Sequence, residues 1–130
     1  MLQLLYVSTA AQGLVQSDLD DIVAGAVARN ASLEVTGSLY YNGRNFMQLL
    51  EGPAPAVHEL MDSIRRDPRH SGVVMIKELT GSPSVFAAWN MRIVRCRPTP
   101  QECRADVAND LPAELDDELR KLMTNFATLT

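Results

Sequence analysis

The chain is poor in the cysteine and histidine that a zinc-type centre needs. Its 130 residues hold two cysteines, Cys96 and Cys103, and two histidines, His58 and His70. A zinc-type site asks for close cysteine pairs with histidines at ligand spacing, and neither histidine stands near either cysteine in sequence. The cysteines read as reduced thiols of a cytosolic protein. Positive charge is scarce too. The formal net charge is -4, so nothing draws the whole molecule to nucleic acid or to an anionic membrane. No apolar run approaches the ~20 residues that span a bilayer. The opening Met1-Leu2-Gln3-Leu4-Leu5-Tyr6-Val7 lacks a basic n-region and a small-residue cleavage site. It reads as a strand, with no secretion signal, and the expected location is the cytoplasm. Internal repeats and low-complexity segments are absent as well.

What is present suits one soluble domain. An apolar fraction of 46% beside a charged fraction of 22% is ordinary for a globular chain. A domain of this size buries roughly two-thirds of its unfolded surface, enough for a real core.

Residues 2–8 read as a first strand. Ser17-Asp18-Leu19-Asp20 opens a helix, with Ser17 as its cap and Asp18, Asp20 and Asp21 near its positive end. Leu19, Ile22, Val23 and Ala26 form its buried stripe. Strands follow at 34–41 and 44–51. Asn42-Gly43 between them is a strong hairpin signal, predicting positive φ at both positions. A second helix over 54–66 carries Val57, Leu60, Met61 and Ile64 at helical spacing and stops at Asp67-Pro68. Residues 72–79 predict a fourth strand and 88–95 a fifth. In the tail, Leu115, Leu119, Leu122, Met123 and Phe126 make another helical stripe.

The order β-α-β-β-α-β-β predicts an α+β, ferredoxin-like fold: a five-stranded mixed sheet with two helices on one face. Met47 and Leu49 alternate with Phe46, Gln48 and Leu50, so the second face is apolar too and needs a cover. The tail helices, from this chain or from a second subunit, are the expected cover. Residues 1–95 are read as the domain proper and 96–130 as a helical extension packed on the sheet.

Three polar residues look out of place. Gln48 shares a strand face with Phe46 and Leu50, so its amide points into the helix-covered core and needs partners there. Tyr6 shares a face with Leu2 and Leu4, and a buried phenol also needs a partner. Asn30 lies near the end of the first helix, where asparagine is common in any case. Two readings stand: a satisfied polar core, or the polar lining of a site for a flat heteroaromatic ligand between the helices.

Several linked blocks carry a closer likeness. They are Tyr6-Val7-Ser8, Arg29-Asn30, Val35-Thr36-Gly37, Phe46-Met47-Gln48-Leu49-Leu50-Glu51-Gly52, Asp67-Pro68-Arg69-His70 and Phe86-Ala87-Ala88-Trp89-Asn90-Met91. In this order and at these separations the chain, from residue 2 to about 95, resembles the BLUF family of flavin photoreceptors.

The resemblance implies a non-covalently bound flavin, FAD foremost, with FMN or riboflavin as alternatives. Tyr6 then donates an electron and a proton to the excited flavin. Gln48 bridges that tyrosine and the flavin, and is left rotated or tautomerised with a stronger hydrogen bond to the flavin C4 carbonyl. Asn30 holds the pyrimidine carbonyl edge, and Ile22 and Ile64 sandwich the ring. Arg29 and Phe46 belong to the same binding set. Asp67, Arg69 and His70 lie near the ribityl chain and phosphate, and a guanidinium suits phosphate. Ser8, Trp89 and Met91 are implied as switching residues. For Trp89 and Met91 plain core packing, and for Arg69 a solvated surface role, remain open on the residues alone.

The chain departs from the family in the loop Gly81-Ser82-Pro83-Ser84-Val85, where relatives often carry arginine, and at Asn90, where a small residue is frequent. Neither touches Tyr6, Gln48 or Asn30. The implied output is a two-state switch, not catalysis. It is passed to an unidentified protein partner or through an oligomer, at least a homodimer, because residues 96–130 are too few for an attached enzyme. Two rivals are a light-independent regulatory module and an acylphosphatase-like enzyme. The latter needs a cation in the loop after strand one, and residues 9–16 hold none.

Overall fold

The computed structural model describes residues 1–81 and 92–128. The elements are β1 (Leu2–Ala10), α1 (Gln16–Leu33), β2 (Thr36–Tyr41), β3 (Asn45–Gly52), α2 (Ala54–Arg65), β4 (His70–Thr80), β5 (Arg92–Arg95), α3 (Pro100–Asp110) and α4 (Asp117–Thr124). A short 3-10 turn, Asn125–Thr128, follows. The strands form one sheet in the order β4-β1-β3-β2-β5. All neighbours are antiparallel except β2 and β5, which run parallel. This is the α+β, five-stranded mixed sheet that the sequence predicts.

Alternation along the strands builds two cores. Leu2, Leu4, Tyr6, Phe46 and Leu50 pack under α1 and α2 with Leu19, Ala26, Val57, Leu60, Met61 and Ile64. Leu5, Tyr40, Met47 and Leu49 face the other way. Cys103 and Val107 of α3, then Leu111, Leu115, Leu119, Met123 and Phe126, close over them. The tail thus covers the second face of its own sheet, with only Leu122 of the predicted stripe half-buried. Each large apolar side chain buried this way contributes about 1.5–3 kcal/mol.

Local details differ from the sequence reading. Ser17 is not the cap of α1. The helix begins at Gln16 with Val15 at the cap position, and the Asp18 carboxylate reaches back from the first turn to accept from the backbone N–H of Val15 at 2.9 Å. Only Asp18 lies in the first turn. At the other end α1 runs to Leu33 and closes on Glu34 in the left-handed region, so β2 starts at Thr36 instead of 34. In the hairpin loop, Gly43 alone takes positive φ. Asn42 stays outside that region, and its side-chain oxygen accepts from the backbone N–H groups of Arg44 and Asn45, an Asx turn in place of a two-residue mirror turn. The first residues of the predicted fifth strand, with Trp89 and Met91, lie outside the described residues.

Gly37 is fixed by contact. A Cβ there would stand 2.1 Å from the backbone oxygen of Leu49, so β2 lies close on β3 only because position 37 has no side chain.

Candidate functional site

A slot opens between α1, α2 and the helix-covered face of the sheet. It encloses about 460 Å³ between its lining atoms, open mouth included. Ile22 and Ala26 come from α1, Leu60 and Ile64 from α2, and Leu39, Phe46, Gln48 and Tyr6 from the sheet. Arg29, Asn30, Asp67, Arg69 and His70 supply polar groups.

All ten residues expected to bind the cofactor line this one slot: Tyr6, Ile22, Arg29, Asn30, Phe46, Gln48, Ile64, Asp67, Arg69 and His70. Ser8 is not in the lining, but its hydroxyl meets His70 Nδ1 at 2.8 Å. Ala26, Leu39 and Leu60 line the slot without having been singled out. Ala26 and Leu60 belonged to the two buried helical stripes, which was the available signal. Leu39 stands opposite Gln48 in the β2–β3 ladder, a position known only once the register is known.

Antiparallel register puts Tyr6 directly opposite Gln48, on the face that alternation turns toward the helices. The Tyr6 hydroxyl donates to Gln48 Oε1. Both residues are buried, at 2% and 4% exposure. Burial pushes the phenol well above its ordinary range, Arg29 opposes the shift weakly, and Asp67 adds to it. Tyr6 is therefore a neutral, proton-bearing donor at any physiological pH.

Asn30 is fully buried, and its backbone carbonyl accepts from Val35 at 2.9 Å, locking the turn from α1 into β2. The next residue back, Arg29, has a buried Nε with no hydrogen-bond partner among the described residues. An unmatched buried donor is costly, and one lining a slot points to an acceptor that belongs there. Asp67 and Arg69 form a two-pronged pair, with Arg69 Nη2 2.6 Å from Oδ2 and Nε 3.0 Å from Oδ1. Those bonds hold the Asp67 carboxyl below the usual carboxylate range, against the burial that would raise it. His70 packs edge-on to Tyr6 and Phe46, at centroid separations of 6.5 and 5.9 Å.

The lining suits a flat heteroaromatic ring with carbonyl acceptors on its edge. Isoleucines stand on both helices, the Arg29 donor needs an acceptor, and a Tyr–Gln pair lies at the sheet. A flavin has those features. Among the described residues no group of three or more His, Cys, Asp or Glu gathers that could hold a metal ion.

Comparison with known proteins identifies the family. The family described as "BLUF: Sensors of blue-light using FAD" matches residues 1–92. The photoactivated adenylate cyclase subunit alpha of Euglena gracilis is 35% identical over 114 residues, 83% of this chain but only 11% of that protein. This chain is thus a small fraction of the curated relatives' length. Among solved structures, the dark-state BLUF protein BlrB is 32% identical with a TM-score of 0.75, over 98% of this chain and 93% of its own. BlrP1 of Klebsiella pneumoniae with FMN and cyclic diGMP is 30% identical with a TM-score of 0.82, over 98% of this chain and 35% of its own.

Proposed function

The chain belongs to the BLUF family of blue-light flavin sensors, and from that premise we propose that it is a photoreceptor switched by its Tyr6–Gln48 pair. The observation that carries this reading is the hydrogen bond from the buried Tyr6 phenol to the Gln48 amide at the slot. When bound, a flavin supplies blue-light absorption and a strong one-electron oxidant. Ile22 and Ile64 would flank it, and Asn30 and Arg29 would meet its carbonyl edge. Asp67 and Arg69 would lie toward its ribityl and phosphate end, with FAD the expected form. Tyr6 would give up one electron to the light-excited flavin and, with it, pass its phenolic proton along the existing bond to Gln48. Gln48 can then turn or tautomerise its amide, because its oxygen is an acceptor and its NH₂ a donor. The electron and the proton both return to Tyr6, and Gln48 is left in its second arrangement. No substrate is consumed.

The proposed output runs through β5 and the tail, over residues 96–130, to a protein partner or a second copy. Support for the tail lies in its packing: α3, α4 and the 3-10 turn rest on Met47 and Leu49, the sequence neighbours of Gln48. No described helix is long and apolar enough to cross a membrane. A cytoplasmic location and at least a homodimer belong to this proposal.

The deciding experiment is the visible spectrum of purified protein. A yellow protein whose absorbance moves slightly to the red in blue light, and back in the dark, is the expected result. Flavin released by acid and chromatographed identifies its form. A colourless protein that also takes up no added flavin overturns the reading.

A further inference from the structure

We propose that His70 is a positioning residue that clamps the strand bearing Tyr6 to the end of α2, and is not itself a hydrogen-bonding ligand of the flavin. The inference rests on the photoreceptor reading above.

Both ring nitrogens of His70 are engaged. Nε2 lies 2.8 Å from the backbone oxygen of Ile64, and Nδ1 lies 2.8 Å from Ser8 Oγ. A carbonyl oxygen only accepts, so Nε2 carries the proton. In the neutral ring Nδ1 is then the acceptor, and the Ser8 hydroxyl donates to it. A directed chain results: Ser8 O–H to His70 Nδ1, then His70 Nε2–H to the Ile64 carbonyl. It leaves no imidazole N–H for a flavin.

The two ends of this chain matter to the site. Ser8 is 2% exposed and follows Tyr6 on the same face of β1. Ile64 lies in the last turn of α2 and lines the slot, and its carbonyl accepts the imidazole N–H beside the Asp67 backbone N–H, which reaches it at 3.1 Å. The ring between them also rests edge-on against Tyr6 and Phe46. His70 therefore ties the phenol's strand to the helix wall across the slot.

The backbone is shaped to allow it. The β1–β4 pairing slips twice, between Leu5 and Tyr6 and between Val7 and Thr9. Gly72 takes positive φ beside the second slip. The extra residues on β4 draw His70 back to stand opposite Ala10. In a regular ladder it would lie beyond the end of β1 and out of reach of Ser8.

The test uses flavin-loaded protein, the variants Ser8→Ala, His70→Phe and their double, and the imidazole nitrogen NMR spectrum of the unmutated chain. The expected spectrum, recorded where the ring is neutral, shows the tautomer with its proton on Nε2. Ser8→Ala, which removes one neutral hydrogen bond, is expected to change dark recovery about fivefold, His70→Phe, which removes two, is expected to change it more, and any change in flavin affinity is expected to be shared by the two variants. The double variant is expected to recover no differently from His70→Phe, because the two residues act as one unit. A proton on Nδ1 overturns the proposal, as do additive effects. So does a loss of flavin affinity beyond about tenfold in His70→Phe but not in Ser8→Ala, since that is the mark of a direct ligand. If His70→Phe does not fold, Ser8→Thr decides: it keeps the hydroxyl and should recover like the unmutated chain, and recovery like Ser8→Ala overturns the clamp. An unmutated chain that binds no flavin defeats the photoreceptor reading alone, because the tautomer is read without light.

Discussion

Tyr6 and Gln48 are direct register partners across β1 and β3, and the phenol donates to the amide oxygen inside a core of leucines and isoleucines. The pair is sealed from water, so its hydrogen bonding is set by the protein and by whatever occupies the slot.

Tyr6→Phe keeps the ring and its packing but removes the O–H. Flavin binding should survive with stability changed by only about 1 kcal/mol. The light-induced red shift should vanish. Difference spectroscopy checks it, and a full shift in this variant makes Tyr6 an ordinary core aromatic.

Gln48→Leu fits between Phe46 and Leu50 with little change in volume. The dark spectrum should already differ from that of the unmutated protein, and illumination should add nothing to it. A normal photocycle here refutes the amide switch.

Arg29→Met separates binding from folding. The buried Nε has no protein partner among the described residues, so the flavin-free protein should lose no stability. Flavin affinity should fall roughly tenfold, the usual worth of a charged hydrogen bond. Urea melts and flavin titration give the two numbers. Unchanged affinity would show that Arg29 points at nothing in the bound state.

Asp67 gives a pH dependence with a fixed sign. Its carboxyl is lowered by Arg69, so its stabilising contribution is full above the unfolded value of about 4 and fades as pH falls through the lowered folded value. The pair is partly exposed, which keeps the effect small. Asp67→Asn should thus be less stable than the unmutated chain at about pH 7 and equal to it near about pH 2. A gap that persists unchanged to the acid end contradicts the assignment.

Cys96 should resist alkylation. Burial first, then contact with Cys103, pushes its thiol far above the ordinary range, and only the thiolate is nucleophilic. Iodoacetamide labelling followed by peptide mass should be slower than for a free thiol. It should keep accelerating well past about pH 8.5, the ordinary thiol value.

The layout was legible in the sequence wherever one element decides its own fate. Alternation in β3 placed Gln48 toward the helices and Met47 toward the tail, and Asp67-Pro68 ended α2. What could not be read depends on pairing between distant elements. Two slips in β4 arise from its fit to β1, and no local pattern announces them. The meeting of Ser8 with His70, and of Gln3 with Glu51 in a buried pair at 2.9 Å, spans most of the domain in sequence. Ser17 was read as the cap of α1 because it precedes a run of aspartates, but the helix starts at Gln16 with Val15 at the cap, and Asp18 falls inside the first turn.

The sheet is one strand thick, and β3 lies near its middle with a packed layer on either side. Gln48 sits in one layer, while Met47 and Leu49 sit in the other. A strand is a stiff rod whose side chains alternate about its axis. Rolling that rod by a few degrees cannot shift the amide without tilting both neighbours the opposite way. The two compartments thus share a single peptide segment as their common wall.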